Sequence, residues 1–214
     1  KDAFLVAWAL TEIFSGLVTE GLSGVLTPIF SEFVGKGDEQ RAWRIASSVA
    51  NAIVLLLSLA TVGVIVAAPL LARLLAPAFP PETHALAVRL MRLMAVSMVF
   101  MGLQGLAASI LNAHQRFFAP ALVPLVLNIV ICVVVLAMSD RLGIDSLALA
   151  MALATLCTAL VQALRLPWGR LRYWAVIDVH DEGTRRFGRL VGPLLVGTLI
   201  LSSTSIINRI FASF

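Results

Sequence analysis

Two carboxylates interrupt the first long apolar run of the chain. Glu12 and Glu20 lie among Leu10, Ile13, Phe14, Leu17, Val18 and Leu22. With Thr11, Ser15, Gly16, Thr19, Ser23 and Thr27 they recur at spacings of three and four, which on a helix of 3.6 residues per turn makes a slowly drifting polar face. Ionisable groups at membrane depth are costly and line substrate or ion paths. The chemistry this face offers is therefore binding inside a hydrated cavity. Close helix–helix packing is the plainer use of Ser15, Gly16, Ser23 and Gly24, but it does not account for the two glutamates. Asp2 opens the run, and Glu12 follows it by about 15 Å of helix, near mid-membrane. Arg209, in the last apolar run, is the third charged candidate. It would pair with a carboxylate or snorkel to the surface.

Nothing beside these residues suits covalent chemistry. The sequence has no HExxH, no Gly-rich phosphate loop, no GxSxG and no aspartate-rich diphosphate motif. His84, His114 and His180 fall in different loops, and His180-Asp181-Glu182 reads as a solvated cluster rather than a metal site. Cys132 and Cys157 lie inside apolar runs and read as packing residues. The expectation is a protein that is not an enzyme and needs no cofactor.

The elements that carry these residues are long apolar segments. The 214 residues are 60% hydrophobic and 13% charged, with a mean hydropathy of +0.97. Soluble domains run at about 45–50% and about 25%, so this chain lacks the polar skin a soluble protein needs. A helix crosses hydrocarbon in about 20 residues, and backbone groups in lipid must be satisfied within the segment. The runs are too long and continuous for barrel strands. The pattern predicts an all-α, polytopic transmembrane bundle of about six spans: 2–33, 45–75, 85–111, one from after residue 119 to near 138, 146–164, and 191 to the end. Breaks fall at Ala76-Pro77-Ala78-Phe79-Pro80-Pro81, where proline removes a donor, and at Ser139–Gly143. Both ends of the sequence lie in or beside apolar runs and read as cuts in a longer protein.

The net charge of +4 and pI of about 9.8 come from loop residues rather than a nucleic-acid surface. Lys36, Arg41, Arg44, Arg116, Arg165, Arg170, Arg172, Arg185, Arg186 and Arg189 fall on one side. Lys1, Arg73, Arg89, Arg92 and Arg141 fall on the other. The bias places the odd-numbered loops in the cytoplasm. Trp168, Tyr173 and Trp174 interleave with arginines as an interfacial anchor, with an anionic-lipid site as the functional alternative. Arg89 and Arg92 are expected to snorkel. Gln104, Ser109, Asn128 and Gln162 are expected to bond between helices.

A set of local strings occurs in order along the chain: Asp2-Ala3-Phe4, Glu20-Gly21, Pro28-Ile29-Phe30-Ser31-Glu32-Phe33, Leu75-Ala76-Pro77-Ala78-Phe79, Leu111-Asn112-Ala113-His114-Gln115-Arg116-Phe117, Pro120-Ala121-Leu122-Val123-Pro124 with Asn128, Gln162–Pro167 and Ile210–Phe214. Together they resemble the MurJ/MviN family of lipid II flippases, in the multidrug/oligosaccharidyl-lipid/polysaccharide exporter superfamily, over nearly the whole chain. The resemblance implies a two-lobed fold of about fourteen helices, of which this chain holds the second to seventh. Residues 1–189 would be an incomplete N-terminal lobe and 190–214 the first helix of the second lobe.

It also implies transport of undecaprenyl-pyrophosphate-linked peptidoglycan precursor across the bacterial inner membrane by alternating access. The partners would be that lipid-linked glycan, membrane lipids and a coupling ion, sodium or proton, with no nucleic acid. Glu20, Glu12, Ser15, Thr19, Ser23 and Arg209 would be cavity residues, with Asp2 at the outer mouth. The chain departs from the family at three places. Ser15 and Gly16 stand where a basic pair is usual, and Thr11 and Glu12 where Pro-Asn is common. Asn208 replaces an aspartate associated with a sodium site, keeping an oxygen ligand and losing the charge. A flippase for another lipid-linked glycan, such as an exopolysaccharide unit, and a noncatalytic membrane scaffold remain open alternatives.

Overall fold

The computed structural model describes residues 3–5, 7, 8, 11, 22–77, 79–167, 174, 178, 181 and 183–190. A π-helical turn, Leu22–Leu26, runs directly into α1 (Thr27–Gly35), whose Pro28 sits in the first turn, where its missing N–H costs nothing. α2 (Glu39–Leu75) starts at Asp38, whose carboxylate accepts the Arg41 N–H at 3.1 Å, and stops ahead of Pro77. α3 (Pro81–Ala95) and α4 (Ser97–Ala113) follow. A single turn, Phe118–Ala121, leads into α5 (Val123–Leu142), and α6 (Asp145–Leu164) completes the bundle. Residues 183–190 are also helical.

Among the described residues, four helical stretches are long and apolar enough to cross a membrane: Gln40–Leu75, Pro81–Ala113, Phe118–Leu142 and Asp145–Leu164. They match the second to fifth expected spans. Part of the first span is described, and the sixth lies outside the described residues. Several boundaries differ from expectation. α2 starts six residues early, at Glu39, and α3 four early, at Pro81, which puts His84 in a helix rather than a loop. The third span is broken at Val96, where the Ser97 hydroxyl donates to the Met94 carbonyl and competes with the helix ladder. The fourth continues through Ser139-Asp140-Arg141-Leu142 and turns only at Gly143, whose φ of +54° suits a residue without Cβ.

α6 lies between α5 and α4, α2 packs on α3 and α4, and α1 fits between α2 and α4. Among the residues of α5 none is buried, although Leu125, Ile129, Val133 and Leu136 are all large and apolar. An apolar helix with that much open surface suits contact with lipid or with further apolar helices. One core joins Ala3, Ala7, Ala68, Ala72, Ala87 and Ala148 to Leu90, Met91, Met94 and Met151. Its alanines let backbones approach closely, which is how helices associate without a hydrophobic drive between them.

Candidate functional site

The polar face of the first span is only partly described. Ala3, Ala7 and Thr11, four residues apart, are all buried, and the Thr11 hydroxyl donates to the Ala7 carbonyl at 3.3 Å. Thr11 therefore serves packing, and its hydroxyl is spent on its own helix. Ser23 belongs to the π-helical turn. Asp2, Glu12, Ser15, Thr19, Glu20, Asn208 and Arg209 lie outside the described residues. The π-helical turn begins two residues after Glu20. Such turns shift the register of a helix and recur at functional sites.

At membrane depth one pair of polar contacts follows from backbone defects. Pro69, inside α2, has no N–H, so the Ile65 carbonyl loses its helical partner. Arg92 of α3 supplies the replacement, its Nε donating to Ile65 O at 3.2 Å. In the other direction, the Thr61 hydroxyl of α2 donates to Ala95 O at 3.2 Å, beside the α3–α4 break. Each helix thus satisfies the carbonyl at the other's irregularity. Arg92 is a hydrogen-bond donor to α2 rather than a snorkelling side chain. Arg89 is likewise engaged, at 2.7 Å from Asp145 at the start of α6. A proline inside a predicted span was the signal for this arrangement, because it requires a donor four residues upstream.

Of the side chains expected to bond between helices, one does so among the described residues. The Thr158 hydroxyl donates to Gln104 Oε1 at 2.7 Å, tying α6 to α4. Ser109 and Asn128 bond back to the carbonyls of Gly105 and Pro124. The Gln162 amide is buried and has no partner among the described residues.

The basic end is more ordered than a set of solvated loops. Connections 1, 3 and 5 meet there, as the alternation of spans requires. Arg44 pairs with Asp178 at 2.9 Å and Arg41 with Asp181 at 3.3 Å, while Arg186 and Lys36 reach the two Glu32 oxygens at 3.0 and 2.7 Å. The Ser47 and Ser48 hydroxyls accept the N–H groups of Trp174 and Asp178, and the Asn51 amide donates to Trp174 O. Asp181 also accepts the Gly183 N–H at 2.8 Å, opening the helix over residues 183–190. A Cβ on Gly183 would lie 2.4 Å from Ile45 Cδ1, so glycine permits this close seat on α2.

Asp181, expected in a solvated cluster, is instead a side chain that anchors the segment to α2. The last turn of α1 carries Glu32, which Lys36 and Arg186 hold from two sides. Beside it, Phe30, Trp43 and His114 form an aromatic cluster joining α1, α2 and α4. Among the described residues no group of His, Cys, Asp and Glu could hold a metal ion.

The arginines of the Arg41–Asp181 and Arg44–Asp178 pairs reach solvent while their carboxylates are largely covered, and fully exposed pairs contribute about 0.2–1 kcal/mol each. Asp178→Arg in the intact protein is expected to raise chymotryptic cleavage around Trp174 up to about fivefold. Adding Arg44→Asp should restore protection. Unchanged cleavage in Asp178→Arg would show that the ion pair does not hold the segment.

Membrane-length apolar helices with an open apolar face and few polar contacts between them define a multi-pass α-helical membrane protein. The family model for lipid II flippase MurJ matches residues 1–214, and the chain belongs to that family. It is 28% identical over 221 residues to a probable lipid II flippase MurJ of Buchnera aphidicola subsp. Acyrthosiphon pisum, covering 99% of this chain and 42% of that protein. A probable lipid II flippase MurJ of Rhizobium tropici is 30% identical over 60% of this chain and 25% of its own length. The lipid II flippase MurJ of Burkholderia cenocepacia is 27% identical over 71% of this chain and 30% of its own. A solved structure of lipid II flippase MurJ in an inward closed conformation superimposes with a TM-score of 0.81 at 22% identity, over 100% of this chain and 44% of the other, which shows the shared fold. The chain thus spans about two fifths of the length of the relatives that it matches end to end.

Proposed function

We propose that the intact protein carrying this chain moves lipid II, the undecaprenyl-pyrophosphate-linked peptidoglycan precursor, from the cytoplasmic to the outer leaflet of the bacterial inner membrane. The observation that carries this is the family match over all 214 residues. A pyrophosphate with sugars does not cross hydrocarbon unaided. Two lobes rocking around a hydrated midplane site solve that problem without covalent chemistry. Residues 1–189 form part of the first lobe, and 190–214 supply the first helix of the second. The basic end faces the cytoplasm, as the distribution of Lys and Arg supports. Glu20 and Glu12 are cavity residues, with Ser15, Thr19 and Ser23 on the same face and Asp2 at the outer mouth. Arg209 pairs with a carboxylate, and Asn208 offers an oxygen to a coupling sodium ion.

A second reading, a flippase for another lipid-linked glycan, draws on Ser15 and Gly16, which leave this helix without the basic pair that suits pyrophosphate. Complementation separates the two. The intact protein should restore growth to cells depleted of their lipid II flippase. Restored export of a different glycan, with no rescue of growth, would favour the second reading. Neither effect, with the protein present in the membrane, would leave a scaffold.

A further inference from the structure

We propose that the cavity between the α4–α5 connection and the end of α6 binds the phosphodiester headgroup of an anionic membrane phospholipid. The cavity, of about 440 Å³, is lined by Gln115, Arg116, Phe117, Phe118, Ala119 and Arg165. Gln115 adopts a φ of +56°, and the Arg116 N–H returns to Leu111 O at 2.8 Å, so the connection folds tightly back on α4. Arg116 then donates to the Arg165 carbonyl at 3.2 Å. That bond brings two arginines from separate connections to one cavity.

Neither arginine has a carboxylate within 4.0 Å among the described residues, whereas Lys36, Arg41, Arg44 and Arg186 at the same end are all paired. Two arginines lining one cavity concentrate positive charge there, and the forked N–H groups of a guanidinium match the paired oxygens of a phosphodiester. The neighbouring side chains select a lipid over a free ion. Phe117 and Phe118 are 60% and 70% exposed, and they adjoin α5, the helix with no buried residue. Exposed apolar rings at the end of an open apolar helix suit contact with acyl chains. Binding here concerns the annular lipid and does not depend on which substrate the protein carries.

The test uses the intact protein in phosphatidylcholine vesicles containing a trace of phosphatidylglycerol with a photoreactive acyl chain. Labelling is mapped to peptides by mass spectrometry. The phosphatidylglycerol probe is expected to label the peptide holding Phe117 and Phe118, and Arg116→Gln with Arg165→Gln to reduce that labelling about tenfold, as loss of charge-assisted hydrogen bonds implies. Replacing both arginines by lysine, which keeps the charge and loses the fork, should preserve only part of it. Unlabelled phosphatidylglycerol should compete and glycerol phosphate should not. Equal labelling by a phosphatidylcholine probe would overturn the proposal, as would undiminished labelling of the glutamine variant. Equal competition by glycerol phosphate would assign the cavity to a soluble anion instead.

Discussion

Glu20→Ala in the intact protein is expected to reduce transport about tenfold or more while leaving the amount of protein in the membrane unchanged. The size follows from removing a charged hydrogen-bonding group, an interaction of about 1.5–3 kcal/mol, in a protein whose cycle depends on it. The sequence motivates the choice, because a carboxylate flanked by Leu17, Val18 and Leu22 is costly in lipid unless it faces water or a partner. The register shift at Leu22–Leu26, directly downstream, is the kind of irregularity found where a helix serves a site. Glu20→Gln separates charge from hydrogen bonding. Intermediate transport would assign the glutamate a hydrogen-bonding role, and loss as deep as with alanine would assign it a role through its charge. Normal transport by Glu20→Ala would remove it from the cavity.

The second large effect concerns stability. In Arg92→Leu the Ile65 carbonyl loses the donor that replaces the missing Pro69 N–H, about 15 Å of helix from the end of α2 at Leu75. No water reaches a lipid-exposed carbonyl there, and an unsatisfied group costs about 1–3 kcal/mol. Pro69→Ala returns an N–H four residues downstream of Ile65, so in that background Arg92→Leu should be nearly silent. Thermal unfolding of the four proteins in lipid nanodiscs reads the cycle, with an expected coupling of about 1 kcal/mol or more. Additive effects would mean that the arginine does not stand in for the missing amide. Thr61→Val should weaken the reciprocal contact to Ala95 less, because its hydroxyl is neutral.

The long apolar runs made the spans legible, and the stops at Pro77 and Pro81 placed the second and third helices within a few residues. The break at Val96 was not legible, since Ser97 is one serine in an apolar run and its effect depends on where its hydroxyl turns. The alternation of loop charge identified the connections that share the basic end. It did not reveal the anchoring of Trp174, Asp178 and Asp181, because Asp178 and Asp181 meet Arg44 and Arg41 from far along the chain. Thr11 misled as part of a polar stripe. A hydroxyl that bonds to its own helix at Ala7 can sit on a packed face at little cost. Arg89 and Arg92 misled for a related reason. An arginine near a helix end has the reach to snorkel, and only the neighbouring helix shows that Asp145 and the Pro69 defect claim them first.

The most direct measurement of the central claim follows lipid II between leaflets. In cells where the intact protein is the sole candidate flippase, radiolabelled lipid II is challenged with a headgroup-cleaving enzyme that cannot cross the membrane. The account predicts that lipid II becomes cleavable from outside when the protein is present and is protected when it is depleted. Lipid II that stays protected while the protein is abundant in the membrane would contradict it.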